Sequence, residues 1–283
     1  MAVTRDAGTD PRTYSTDPID RDRHPAEGGW TEMTTEPDVG CPARCAVVGA
    51  GRVGTALAAA LRAAGITVDG PLGRDEPVPD DVPVILCVPD AQIAAAARTL
   101  APGRLVGHTS GATTLAVLTD AGHEAFSIHP LMTVPAGAGA AQLEGAPAAV
   151  AGSTPHALRV AHALALAARM QPMDIADEHR AAYHAAASIA ANMLVTLQDS
   201  AERLLATAGG DRAMLVPLVR AAVEAWAEHG AERSLTGPIA RGDHETVARH
   251  REAIAARTPD LLPVFDALAA ATERLAERSR VAA

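Results

Sequence analysis

Hydrophobic and polar positions along this chain follow two regimes. Between residues 43 and 176, short apolar runs alternate with alanine-rich stretches of helical period. The runs 44–48, 66–72, 82–88, 105–108 and 125–128 read as buried strands, and two more fit at 148–151 and 172–175. Helices are predicted over 55–64 and 155–169, the first stopped by Gly65. Strand and helix alternating at this spacing imply a mostly parallel sheet covered on both faces. From Asp177 onward the strand pattern stops. Asp177-Glu178 opens a long helix that Gly209-Gly210 ends, Asp211 caps a helix running to about His229, and 236–242 is a loop. Asp243 caps the next helix, and Pro259 precedes the last. The expected architecture is an α/β domain over 43–176 followed by an all-α C-terminal domain over 177–283.

Residues 1–42 show no such period. They are rich in Asp, Pro, Thr and Gly, and the first forty carry nine acidic residues against four arginines. A segment of this kind lacks the apolar content to offset its ordering entropy and is expected to be a disordered, solvated tail. Met33 is an alternative start. The formal net charge of −10 and the absence of a basic stripe argue against a nucleic-acid partner. No apolar run reaches the ~20 residues of a membrane span, and no signal pattern opens the chain. Cys41, Cys45 and Cys87 form neither a disulfide framework nor a metal-ligand spacing, so no metal is expected and the cytoplasm is the default compartment. All 24 basic residues are arginines, which excludes any mechanism that needs a lysine.

Gly49-Ala50-Gly51-Arg52-Val53-Gly54 follows the first strand and opens the first helix. In that context GxGxxG is a dinucleotide-binding signature, and the α/β half reads as a Rossmann domain. Gly49 permits the tight turn, Gly51 lets backbone amides approach a diphosphate, and Gly54 lets the helix pack on the strand. The helix start then offers unpaired N–H groups to the anion. Where an NAD-selecting acid would end the second strand, this chain has Arg74, a side chain suited to the 2′-phosphate of NADP(H); Arg52 could add to it. Asp75 and Glu76 follow directly and keep NAD open. Val88, Pro89 and Ser110, at later strand ends, complete the expected cofactor set.

Several segments resemble the Rossmann-like and DUF2520 domain-containing family of bacterial proteins. They are the 46–57 strand and loop, His108-Thr109-Ser110-Gly111, Ser127-Ile128-His129-Pro130-Leu131, Tyr183-His184-Ala185-Ala186, and the 236–243 segment Thr-Gly-Pro-Ile-Ala-Arg-Gly-Asp. The resemblance covers about 43–277. It places the chain among the 6-phosphogluconate dehydrogenase-like reductases, near ketopantoate reductase and pyrroline-5-carboxylate reductase. It implies an NADPH-dependent reductase of a small 2-oxo acid, with ketopantoate the first choice.

Carbonyl reduction needs a hydride donor and a proton donor. Ketopantoate reductases place a lysine on the long helix after the sheet, and this chain has none there. His184, Ser188 and Asn192 instead form an i, i+4, i+8 polar stripe, with His184 as candidate acid. His129 is the rival, because Ser127-Ile128-His129-Pro130-Leu131 also resembles the His-Pro segment of prephenate dehydrogenases; Ser110 sits near it at a strand end. Arg241 is the expected cation for a substrate carboxylate. The alanine-rich second half points to a homodimer packed through the helical domain. Two other readings stay open: a non-catalytic NADP(H) sensor and a prephenate-dehydrogenase-like oxidoreductase.

Overall fold

The computed structural model describes residues 40–135, 137 and 139–282. The expected tail therefore lies, up to residue 39, outside the described residues. Residues 40–43 already belong to the folded unit: Cys41 Sγ approaches the Ala163 carbonyl, and the Ala43 carbonyl accepts from Thr67 N–H.

Seven strands form one sheet: β1 (Arg44–Val48), β2 (Thr67–Leu72), β3 (Val84–Leu86), β4 (Leu105–His108), β5 (Glu124–Pro130), β6 (Pro147–Gly152) and β7 (Gln171–Asp174). Their order is β2-β1-β3-β4-β5-β6-β7. The helices of this half are α1 (Arg52–Ala63), α2 (Asp90–Arg98), the short α3 (Ala116–Thr119) and α4 (Pro155–Ala167). The two-residue period of β1 sends Cys45 and Val47 to one face, under Leu57 and Leu61 of α1 and Val160 and Leu164 of α4. Ala46 goes to the other, beneath Ile93 and Ala97 of α2. Both faces are thus buried, as the continuous apolar runs predict.

One feature differs from the simplest reading of the alternation. β1 to β5 are parallel, but β6 pairs antiparallel to β5, and β7 pairs parallel to β6. Among its described residues, the connection from β5 to β6 contains only a 3₁₀ turn (Ala140–Leu143), without the crossover helix that parallel neighbours ordinarily use. The last two strands therefore run opposite to the first five.

The second half contains α5 (Arg180–Ser188), α6 (Leu194–Ala206), α7 (Arg212–Ser234), the short α8 (Pro238–Arg241), α9 (His244–Arg257) and α10 (Leu262–Ala282). A π-helical turn, Ile189–Met193, joins α5 to α6 without a break. Asp177 does not cap this helix. Its carboxylate instead accepts from Leu115 N–H and pairs with Arg180. Asp243 does cap α9, accepting from Thr246 N–H. α7 is broken at Gly230, whose φ of 75° is left-handed, so regular helix stops near the expected His229. The segment expected as a loop before α9 holds α8, one helical turn. Buried side chains are few in this half, and α6 and α7 leave large apolar residues exposed.

Candidate active site

The glycine loop between β1 and α1 is forced by close contact. A Cβ on Gly49, where φ is 109°, would strike the Cys87 carbonyl, and one on Gly54 would strike the Gly49 carbonyl. Two cavities of about 620 Å³ each touch this loop. The first runs along the ends of β1, β2 and β3. Gly49, Ala50, Gly51, Arg74, Val88 and Pro89 all line it, as expected of a cofactor seat. Glu76 lines it too, but its carboxylate accepts from Gly73 N–H, which occupies one oxygen in holding the turn.

Arg52 and Val53 line the second cavity instead. Arg52 therefore lines a different cavity from Arg74. Of the candidate catalytic residues, His129, His184, Ser188 and Asn192 line this second cavity together. The polar stripe holds together because the helix changes pitch beneath it. From His184 to Ser188 an α-helix drifts by roughly 40°, and the wider π turn carrying Asn192 turns the drift back.

Ser110 and Arg241 line neither cavity. The Ser110 hydroxyl lies 2.8 Å from Asp90 Oδ2 and 2.9 Å from Thr113 Oγ1, and it also accepts from the Thr113 amide; it ties the turn after β4 to the start of α2. Arg241 ends α8, at the exposed surface of the helical half.

The structure adds two residues that sequence reasoning did not assign roles. Tyr183 lines the second cavity, and its hydroxyl lies 2.8 Å from His129 Nδ1, with the rings edge to face at 5.6 Å. Burial pushes the Tyr183 phenol up, and it pushes His129 down to about 4, helped by the charges of His184 and Arg180. His129 is therefore neutral at pH 7. The His184 ring stands 6.1 Å from that of His129. Both rings close over Gly111, where a Cβ would come within 2.7 Å of His184 Cδ2 and 2.8 Å of His129 Nε2.

Arg180 is the second. It is 1% exposed, and its guanidinium donates to Asp177, to the Ser110 carbonyl and to the Ser127 hydroxyl on β5. This buried clamp fixes the first turn of α5 against β4 and β5. Tyr183 and His184, one turn further on, then face His129.

Residues 146–272 match the family model described as Domain of unknown function (DUF2520). The match begins just before β6, so it takes in the two reversed strands and α4 as well as helices of the second half. Among solved structures, an assigned NADP oxidoreductase of Bacteroides fragilis superposes with a TM-score of 0.70 at 18% identity, covering 82% of this chain and 98% of that one. Protein TM1727 of Thermotoga maritima gives 0.67 at 23% identity, covering 84% and 99%. The reductive aminase of Aspergillus terreus, solved with NADPH and ethyl levulinate, gives 0.56 at 14% identity, covering 84% and 94%. These likenesses establish a Rossmann sheet followed by a helical domain. No curated protein matches the chain. Among the described residues, no helix is long and apolar enough to cross a membrane.

Proposed function

We propose that this protein is an NADPH-dependent reductase of a small 2-oxo acid, with ketopantoate the first substrate to test. The observation that carries the reading is the Tyr183–His129 hydrogen bond in a cavity lined by Arg52, which follows Gly51 of the first cavity in the glycine loop. The B. fragilis protein is assigned as an NADP oxidoreductase, and the A. terreus enzyme was solved with NADPH, which supports this cofactor on this fold. The first cavity would hold the dinucleotide. Gly49 and Gly51 would admit its diphosphate to the amides at the start of α1, and Arg74 would take the 2′-phosphate.

Bound NADPH would supply the hydride to the carbonyl carbon. The chain supplies the proton. As the carbonyl oxygen becomes an alkoxide, Tyr183 gives it the phenolic proton, and Nδ1–H of neutral His129 stabilises the phenolate left behind. Water entering the cleft then reprotonates the phenol. Ser188 and Asn192 orient the substrate from the helix side. The geometry thus favours His129 with Tyr183 over His184, which has no hydrogen-bond partner among the described residues. Apolar walls beside the site limit water there and strengthen each polar contact.

We infer further that α6 and α7 pack against a second copy of the chain. Val195 is 69% exposed, Leu218 67%, Met214 65% and Trp226 58%, a density of large apolar side chains that a monomer surface rarely carries.

The decisive experiment follows NADPH oxidation against a panel of small 2-oxo acids. Turnover with ketopantoate or a close relative is the expected result. NADPH binding without turnover on any of them would leave a nucleotide sensor in place of an enzyme.

A further inference from the structure

The second cavity has one-sided chemistry. Leu131, Met132, Val134 and Met173 form an aliphatic wall, and alanines of α5 and the π turn face it. Neither Asp nor Glu is among the described residues lining it, and Arg52 is the one of them with a permanent charge. Around the strand ends, Arg44, Arg62, Arg104 and Arg180 are each engaged by carboxylates or backbone carbonyls. Arg52 is exposed, and no described side chain pairs with its guanidinium.

We propose that Arg52 is the anion seat of this cleft. It receives the carboxylate of an oxo acid whose remaining body is aliphatic and uncharged. A guanidinium binds a carboxylate through paired charge-assisted hydrogen bonds, and the apolar walls take up the carbon chain. A second carboxylate would face those walls without a counter-charge, and an ammonium would find no anion, so the cleft selects monocarboxylates. The role expected of Arg241 thereby passes to a residue that lines the cavity. This assignment rests on the reductase reading for its reaction, but binding tests it without turnover. The same guanidinium, placed directly after Gly51, could instead serve the cofactor's diphosphate, so the two anions need separate arms.

Calorimetry on the full chain saturated with NADP⁺ would compare 2-oxoisovalerate, its neutral methyl ester and 2-oxoglutarate, in the unmodified protein and in Arg52→Met. The expected result is that Arg52→Met weakens 2-oxoisovalerate roughly 10–100-fold, leaves the ester unchanged, and alters NADP⁺ affinity by less than about threefold. 2-Oxoglutarate should bind the unmodified protein more weakly than 2-oxoisovalerate. An equal loss of NADP⁺ affinity with unchanged acid binding would assign Arg52 to the diphosphate and overturn the proposal. So would equal affinity for the dicarboxylate, or no binding of 2-oxoisovalerate at all. Arg52-dependent acid binding without any NADPH oxidation would refute the reductase reading and leave this seat intact.

Discussion

Tyr183 and His129 are 54 positions apart, yet the phenol oxygen and Nδ1 lie 2.8 Å from each other. The hydrogen bond joins the end of β5 to the start of α5. It is built from both sides. β5 carries His129 to its end, where pairing with Ala149 of the antiparallel β6 fixes it. On the helix side, Arg180 anchors α5 through Ser127, two residues before His129 on the same strand. The clamp and the pair thus share one strand. Motion of α5 relative to β5 would have to break a buried charged contact first, which holds Tyr183 against His129.

Replacing Tyr183 with Phe should keep the fold and remove the proton donor. We expect the turnover rate to fall by roughly 10²–10⁴ with NADPH affinity almost unchanged. His184→Ala, measured in parallel, should cost much less. A pH profile separates the two donors further. An imidazolium acid loses its proton near pH 6.5 in general, so its rate would decline through neutrality, whereas a phenol donor keeps the rate flat from about pH 6 to 8. A rate that falls across that window, together with an active Tyr183→Phe variant, would return the role to His184.

Arg74 gives the cofactor prediction. It lines the first cavity, and no ion pair among the described residues occupies it. Arg74→Ala should weaken NADPH by about 1.5–3 kcal/mol and NADH by little, read as dissociation constants from nucleotide fluorescence. Equal affinity of the unmodified protein for both cofactors would remove the 2′-phosphate from the argument. Asp75 and the bound-up Glu76 would then have to be reconsidered as ribose partners.

The apolar faces of α6 and α7 predict self-association. Leu218→Asp combined with Trp226→Asp places two charges on the α7 face, and desolvating them would oppose packing. Sedimentation should show a dimer for the unmodified chain and a monomer for the double variant, with the sheet's circular dichroism retained. A monomer in both cases would mean that these side chains serve another contact.

The sheet was legible in the chain because buried strands and amphipathic helices leave different periods, and the glycine loop because Gly49 and Gly54 stand where a side chain would strike a backbone carbonyl. The direction of β6 was not legible. Strand composition carries no polarity, and only the absence of a crossover helix between β5 and β6 decides it. The stripe of His184, Ser188 and Asn192 was readable from spacing alone. Tyr183 was not, since its partner lies on a distant strand; its one local signal was its place beside His184 in a chain with two tyrosines. Arg180 was hidden for a related reason. A charged residue next to Glu178 and His179 reads as solvated, and only the assembled sheet shows that Ser127 and the Ser110 carbonyl await it. Arg52 sat inside a recognised motif, but which side of the loop it serves depends on how α1 leaves the sheet.

The last prediction concerns acid stability and follows from two buried histidines. His129 and His108 are each pushed down to about 4, in both cases chiefly by burial, with the Arg180 charge adding to it. His108 is fully buried, its Nδ1 accepts from Ser110 N–H, and its Nε2 has no partner among the described residues. In the unfolded chain both rings titrate near 6.5. Between those values the unfolded state binds protons that the folded state refuses, so stability must fall as pH drops from about 6.5 to about 4. With both rings contributing, the slope approaches roughly 2.7 kcal/mol per pH unit in the middle of that window. Carboxylates held low by their partners, such as Asp260 and Asp266, release their contribution only below it. Urea unfolding at pH 7, 6 and 5 should therefore show a progressive loss. His129→Gln, which keeps an N–H donor for the Tyr183 oxygen but cannot titrate, should remove about half of it. A stability that stays level from pH 7 to 5 would mean that these rings take up protons in the folded state, and a neutral His129 could no longer be assigned to the phenol.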